Sequence, residues 1–272
     1  MPSTLDSQSL KGIFGLFKGE SGAGKSDAAL SFPSPYVFDH DRKMPAIANK
    51  HFPGKEIHWD HFDNIFEVGE KLNYFLVNGC PYETLIGDSV TSLSYTALKT
   101  IDDVKSTNIL KMLENVRKSA KGASTIEIRG YDYYNGEDNF LKFYIDVLKA
   151  LWSRDGNPKH VIVIAHVLTS ETKDIKTNLV TRSRKIVTAG KNIGAYIPAQ
   201  FDEMYHFATG YPDIGSNSKT VPHLATTEAV GEDNAKTAYN FPSLIDFTNA
   251  NFYEILNQYA TFPESSLTEV VK

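Results

Sequence analysis

The chain has 272 residues, 41% of them apolar and 22% charged, with 18 Gly, 12 Pro and a formal net charge of −5. This balance describes an ordinary soluble chain of one large domain or two small ones, and it excludes wholesale disorder and collagen-like repetition. The acidic excess argues against a protein that coats nucleic acid with its whole surface, yet it leaves room for a local basic element. The longest apolar runs, near Val161 to Ala165, fall far short of the roughly 20 residues a membrane helix needs, so no membrane partner is expected. Met1 to Leu10 lacks the basic-then-apolar order of a secretory signal, and the single Cys80 allows no internal disulfide, which makes the cytoplasm the expected compartment.

No block repeats at a period of roughly 20 to 50 residues and no Pro/Gly/Ser linker divides the chain. One domain over residues 11–260 is expected, with tails at 1–10 and 261–272. Lys11 to Phe17 reads as a short strand that enters a Gly-rich turn, and a helix follows from about Lys25 to Leu30. Pro33 and Pro35 end that helix, and Tyr36 to Phe38 reads as a second strand closing on Asp39 and Asp41. The run Phe62, Ile65, Phe66, Val68, Gly69, Leu72, Phe75, Leu76 has helical spacing, and after Gly79 and Pro81 comes a strand at Thr84 to Gly87.

After Asp88 a helical stretch extends to about Lys121, and Glu127 to Asn139 reads as a loop or ribbon. Phe140, Leu141, Tyr144, Ile145, Leu148, Leu151 and Trp152 then repeat with helical period ahead of the apolar strand His160 to Ala165. Short apolar strands alternating with helices predict an α/β fold, a mainly parallel sheet flanked by helices, with its ligand site beyond the strand C-termini. Late strands at Thr220 to Leu224 and Ala235 to Ile245, then a closing helix through Phe252, Ile255, Leu256 and Tyr259, complete the domain.

Gly19-Glu20-Ser21-Gly22-Ala23-Gly24-Lys25-Ser26 fits G-x-x-x-x-G-K-[ST] without a mismatch. In such a loop the glycines let amides converge on phosphate oxygens, Lys25 supplies charge to the β and γ phosphates, and Ser26 can ligate Mg²⁺. Asp88, closing the strand Thr84 to Gly87, is the expected second Mg²⁺ group. Asp39 and Asp41 are candidates to orient the attacking water. His166, after the strand Val161 to Ala165, is placed to sense the γ phosphate and signal it onward.

In this order the motifs resemble the RecA-type P-loop ATPase core, and more closely the short phage RecA-like ATPases associated with single-strand annealing and recombination. The similarity spans roughly residues 11 to 260. It implies ATP and Mg²⁺ as cofactors, single-stranded DNA as ligand, and a homo-oligomer with ATP at the subunit interface. A single-strand-binding protein is a further implied partner. The resemblance sets Asp41 at the position of a water-orienting glutamate, one methylene longer, and His166 at the position of a glutamine that couples nucleotide to a DNA-binding loop. A pair of lysines acting across the interface is represented by Lys236 alone, with Lys191 a substitute for the second.

Two segments fit the DNA role. From Lys176 to Lys191 there are five cations (Lys176, Arg182, Arg184, Lys185 and Lys191) and no carboxylate, in a chain of net negative charge. Glu127 to Asn135 combines Arg129 with three tyrosines whose faces can stack on bases, or pack between subunits. The expected activity is ATP hydrolysis under control of single-stranded DNA. The shorter Asp41 and the missing lysine equally suit a nucleotide-switched assembly protein with little turnover, and a small-molecule kinase is a third, weaker alternative.

Overall fold

The first strand, β1 (Ile13–Gly19), is buried at every position, and alternation of its side chains divides the core in two. Phe14 and Leu16 join one cluster, while Ile13 and Phe17 join another on the opposite face. The computed structural model describes residues 10, 12–103, 133–153, 157–173, 180–190, 193–210, 221–229 and 235–261. After β1 the chain runs through α1 (Lys25–Leu30), β2 (Pro35–Asp39), α2 (Met44–His51), β3 (His58–Asp60), α3 (Ile65–Asn78), β4 (Thr84–Asp88) and α4 (Val90–Asp103). It continues with α5 (Tyr133–Trp152), β5 (His160–Lys173), β6 (Val180–Ile186), α6 (Ile193–Tyr196), β7 (Glu203–Thr209), β8 (His223–Thr226), β9 (Leu244–Asp246) and α7 (Phe252–Thr261).

The main sheet has the order β3-β2-β4-β5-β1-β7-β8-β9, with β6 paired to the far part of β5. Neighbours from β3 to β7 are parallel, whereas β8 and β9 add antiparallel edges. Helices α3, α4 and α5 cover the face of Phe14 and Leu16, and α1 and α7 cover the face of Phe17. This is the α/β core, a mainly parallel sheet flanked by helices, that the motifs lead one to expect. β1 lies between β5 and β7 while its successor β2 lies beyond β4, and such a reversal of strand order opens a crevice at the C-terminal ends. Register fills that crevice with the candidate residues, because Gly19 lies opposite His166 and Asp39 opposite Asp88.

Several element boundaries differ from the sequence expectation. Tyr133 to Asn139 are the first turns of α5 rather than a loop. The strand at His160 continues past Ala165 to Lys173, so His166 lies within it, and Val180 to Ile186 forms an antiparallel ribbon with that extension instead of a loop. Residues 235–243, where the sequence pattern predicts a strand, carry one isolated bridge, between Met204 and Lys236. Residues 104–132 and 262–272, which include the proposed stacking tyrosine Tyr131 and the C-terminal tail, lie outside the described residues.

Phe17 anchors the α1 and α7 face, with ring contacts to Phe32, Tyr205, Phe207 and Phe252. Truncation there removes a wholly buried aromatic ring between two helices and the sheet. Phe17→Ala is expected to cost about 3–5 kcal/mol, measured as a lower urea midpoint at unchanged slope.

Candidate nucleotide-binding site

The glycine-rich turn leaves β1 at Gly19, whose missing side chain has a packing reason: a Cβ there would overlap the carbonyl oxygen of Phe207 on β7. Gly22 and Gly24 serve the loop itself, with φ of 81° and 84°, a region where other residues are strained. A Cβ on Gly24 would also press on the His223 ring at 3.0 Å. Glu20, Ser21 and Ala23 complete the bend, pinned by the Ala23 amide donating to the Glu20 carbonyl at 3.4 Å. Lys25 closes over it, its Nζ donating to the carbonyls of Gly19 at 3.0 Å and Glu20 at 2.6 Å.

Burial lowers the Lys25 ammonium to about 8 against the pull of Asp88 and Asp41. A polyanion entering this loop therefore meets a cation already stripped of most of its water, which strengthens their attraction. Ser26 Oγ donates to Asp88 Oδ2 at 2.7 Å. Two hard oxygen donors in contact, one of them a carboxylate, fit Mg²⁺, and the loop fits a nucleotide phosphate chain. Asp88 is 3% exposed, and burial raises its carboxyl to about 6, against the Ser26 hydrogen bond and with help from Asp41 and Asp39.

The two acids at the end of β2 and just beyond it differ in what they hold. Asp39 is wholly buried and accepts from the amides of Lys43 at 3.2 Å and Met44 at 2.9 Å, so it ties down the start of α2. Asp41 faces the cavity. It accepts from Ser89 Oγ at 2.9 Å, lies 3.4 Å from His166 Nε2 and pairs with Lys43 at 3.5 Å. Burial pushes Asp41 up, but hydrogen bonds from His166, Ser92 and Ser89 together with Lys43 outweigh it and hold the carboxyl well below its usual range. The amides of His40 and Asp41 donate to the Asp88 carbonyl at 2.7 and 3.2 Å, which locks this loop to the end of β4.

Loop residues 21–26, Asp41, Asp88 and His166 line one cavity of about 320 Å³. Lys43, His51 and His223 also line it, and none of the three stood out in the sequence. Nearness to Asp41 is the one signal that could have pointed to Lys43, whereas His223 arrives from β8 with no local pattern. A second cavity of about 410 Å³ adjoins through shared walls at Asp27, His51 and His223, and continues between Phe52, Phe247 and Asn251. Aromatic rings and amide side chains thus stand together beside the phosphate loop, the mixture of apolar faces and a few polar groups that small-molecule sites use.

The cationic residues fall away from this cavity. Arg184 and Lys185 are exposed on β6, in register with Thr169 and Leu168 of β5, and Arg182 lies opposite Glu171. Lys236 is exposed and joined to β7 by paired backbone bonds with Met204 of 2.8 and 2.9 Å. Arg129, Lys176 and Lys191 lie outside the described residues. No described helix is long and apolar enough to cross a membrane.

A glycine-rich phosphate loop opening α1, on the central strand of a mainly parallel sheet, marks a P-loop nucleotide-binding domain. The match to family models is more particular: the model AAA_24, described as an AAA domain, covers residues 11–229, and the chain belongs to that family of ATPase domains. No curated protein matches the sequence significantly. Similar solved structures include the flagellar accessory protein FlaH from Methanocaldococcus jannaschii, 12% identical with TM-score 0.40, over 87% of this chain and 85% of that one. A KaiC-like protein from Pyrococcus horikoshii is 11% identical with TM-score 0.37, over 90% of this chain and 95% of that one.

Asp88 gives this site a stability signature. A buried carboxyl raised from 3.8 to about 6 binds a proton more tightly folded than unfolded, so the nucleotide-free fold loses stability as pH rises through that window. Asp88→Asn should then stabilise the nucleotide-free protein at pH 7.5 by about 1–3 kcal/mol, while lowering Mg²⁺-dependent nucleotide affinity. Thermal melts with and without nucleotide read both effects.

Proposed function

We propose that the protein is a Mg²⁺-dependent ATPase that binds single-stranded DNA and sets its grip on the strand by nucleotide state. The observation that carries this reading is one continuous strand. β5 holds His166 at 3.4 Å from Asp41 in the nucleotide cavity, and three residues on it pairs Thr169 with Arg184 of the cationic ribbon. A shift at one end is transmitted along paired backbone rather than through a flexible joint. Thr169 Oγ1 also donates to Glu20 Oε1 at 3.2 Å, which fastens the ribbon to the phosphate loop.

Ser26 and Asp88 would hold Mg²⁺, which would supply charge neutralisation to the nucleotide phosphates. Lys25 binds the β and γ oxygens. Asp41, kept ionised by its partners, orients the attacking water and accepts its proton at the carboxylate. His166 reports the terminal phosphate to β5. In a homo-oligomer with nucleotide at the subunit interface, exposed Lys236, with Lys191, supplies cations to the neighbour's site. A role in phage-type recombination or annealing, alongside a single-strand-binding protein, rests on the sequence resemblance.

A specific observation favours a second reading. Asp41 is already engaged by Ser89, His166 and Lys43, which suits a nucleotide-switched assembly protein with slow turnover. An ATPase assay with and without single-stranded DNA separates the two. The first reading expects stimulation by DNA, lost in Lys25→Ala, and at least a hundredfold slower turnover with ATP binding retained in Asp41→Asn. Low turnover indifferent to DNA favours the second. Combined Arg184→Ala and Lys185→Ala should weaken DNA binding and flatten its salt dependence, and unchanged binding would remove the ribbon from the DNA model.

A further inference from the structure

The cavity of about 410 Å³ beside the phosphate loop is where the order of the sheet would send the organic half of a nucleotide. Asp88 and His166 belong to β4 and β5, on one side of β1, whereas His223 stands on β8, two strands away on the other side. A triphosphate whose terminal group meets Asp41, Asp88 and His166 therefore directs its first phosphate toward Asp27, His51 and His223, the three residues that line both cavities. The nucleoside follows into the second.

That space is walled by fixed groups. Phe52 closes α2 and Phe247 follows β9, and the Phe247 ring is held by Phe252 at 5.2 Å, Phe207 at 5.6 Å and His223 at 5.9 Å. In the turn beyond it the Ala250 amide donates to the Phe247 carbonyl at 3.2 Å, and Thr248 Oγ1 accepts from the His223 amide at 2.9 Å. Asn251 Oδ1 accepts from the Glu254 amide at 3.2 Å, so its NH₂ is the end that remains to donate. Asn249 is exposed on the same turn and carries both a donor and an acceptor.

These groups distinguish between purines. Guanine shows two acceptors along its N7 and O6 edge and is best met by Arg or Lys, whereas adenine shows an acceptor beside an amino donor, the complement of a carboxamide. Among the described residues the lining has two carboxamides, Asn249 and Asn251, and neither Arg nor Lys. Its one carboxylate, Asp27, stands at the end shared with the phosphate cavity, with His51 Nδ1 at 3.1 Å. That is the level of the sugar, where an acceptor meets hydroxyls.

We propose that the turn after β9, from Phe247 to Asn251, selects adenine, with Phe52 and Phe247 as apolar walls, Asn249 and Asn251 on the amino edge of the base, and Asp27 at the ribose. The inference rests on the ATPase reading above and adds to it the choice of base.

Calorimetry in Mg²⁺ with three ligands tests it: the β,γ-imido analogues of ATP and GTP, and inorganic tripolyphosphate. The wild type should bind the ATP analogue roughly tenfold more tightly than either of the others. Asn249→Ala should bring the two analogues to within about threefold. Ala250→Trp, which fills the slot, should drop the ATP analogue to the level of tripolyphosphate while tripolyphosphate itself binds as before. Without any variant, ATP carrying an azide on its adenine ring should photolabel wild-type peptides that hold residues 51–52 or 247–252. Equal affinity for the two analogues, an unchanged ratio in Asn249→Ala, wild-type affinity in a folded Ala250→Trp, or label placed elsewhere overturns the assignment. If tripolyphosphate binds as tightly as the ATP analogue, the base pocket is wrong and the phosphate loop stands. A wild type that binds none of the three removes the ATPase reading as well.

Discussion

The register of three parallel strands governs this molecule. Gly19 ends β1 beside His166 of β5 on one side and Phe207 of β7 on the other, and a side chain at Gly19 would collide with the Phe207 carbonyl. Because strand side chains alternate, a slip of one residue would send His166 to the other face and turn Lys18 toward the nucleotide. The first glycine of the phosphate loop is thus a sheet residue. It fixes where the loop begins, and with it the positions of Lys25, Asp88 and Asp41 relative to one another.

The site built on that register is electrostatically demanding. Asp39 and Asp88 are nearly sealed from water, and Lys25 is 4% exposed. The three acids are distinguished by their donors. Asp39 is held by the Lys43 and Met44 amides with His61 Nδ1 3.1 Å away, and Asp41 by Ser89 and His166, while Asp88 has the hydroxyl of Ser26 as its side-chain donor. Burial raises the Asp88 carboxyl to about 6, and a divalent cation beside it would oppose that rise. A site of this kind holds its charge poorly until its ligand arrives, which is the usual exchange of stability for function.

Much of this was legible in the chain because it is local. The loop motif, the strands around Phe17, Val37, Ile86 and Val163, and the apolar stripe of α5 are each set by neighbours in sequence. What was not legible depends on distant partners. β3 is three residues long and half exposed, with no apolar alternation to betray it. The start of α5 carries Asn135-Gly136, which reads as a turn; in the fold Gly136 packs against Ile101, where a Cβ would crowd it at 2.9 Å, and buried Glu137 accepts from Ser94. The extension of β5 is polar, Thr-Ser-Glu-Thr, and becomes a strand because β6 supplies its hydrogen bonds.

The same extension places the proposed sensor and the proposed grip on one element. A loop after His166 would let the cationic segment move independently of the nucleotide cavity. A ribbon does not: Val187 donates to the His166 carbonyl at 2.8 Å, and the His166 amide donates to Thr91 Oγ1 at 3.1 Å. Thr91 lies two residues beyond Ser89, the residue that holds Asp41. The ribbon, β5 and the start of α4 are therefore joined at His166 by hydrogen bonds from its main chain, and a change in the bonding of Asp41 has a short, stiff route to Arg184. Coupling of this kind needs no large domain movement, only two arrangements of the His166 and Asp41 pair with different free energies in the presence of nucleotide.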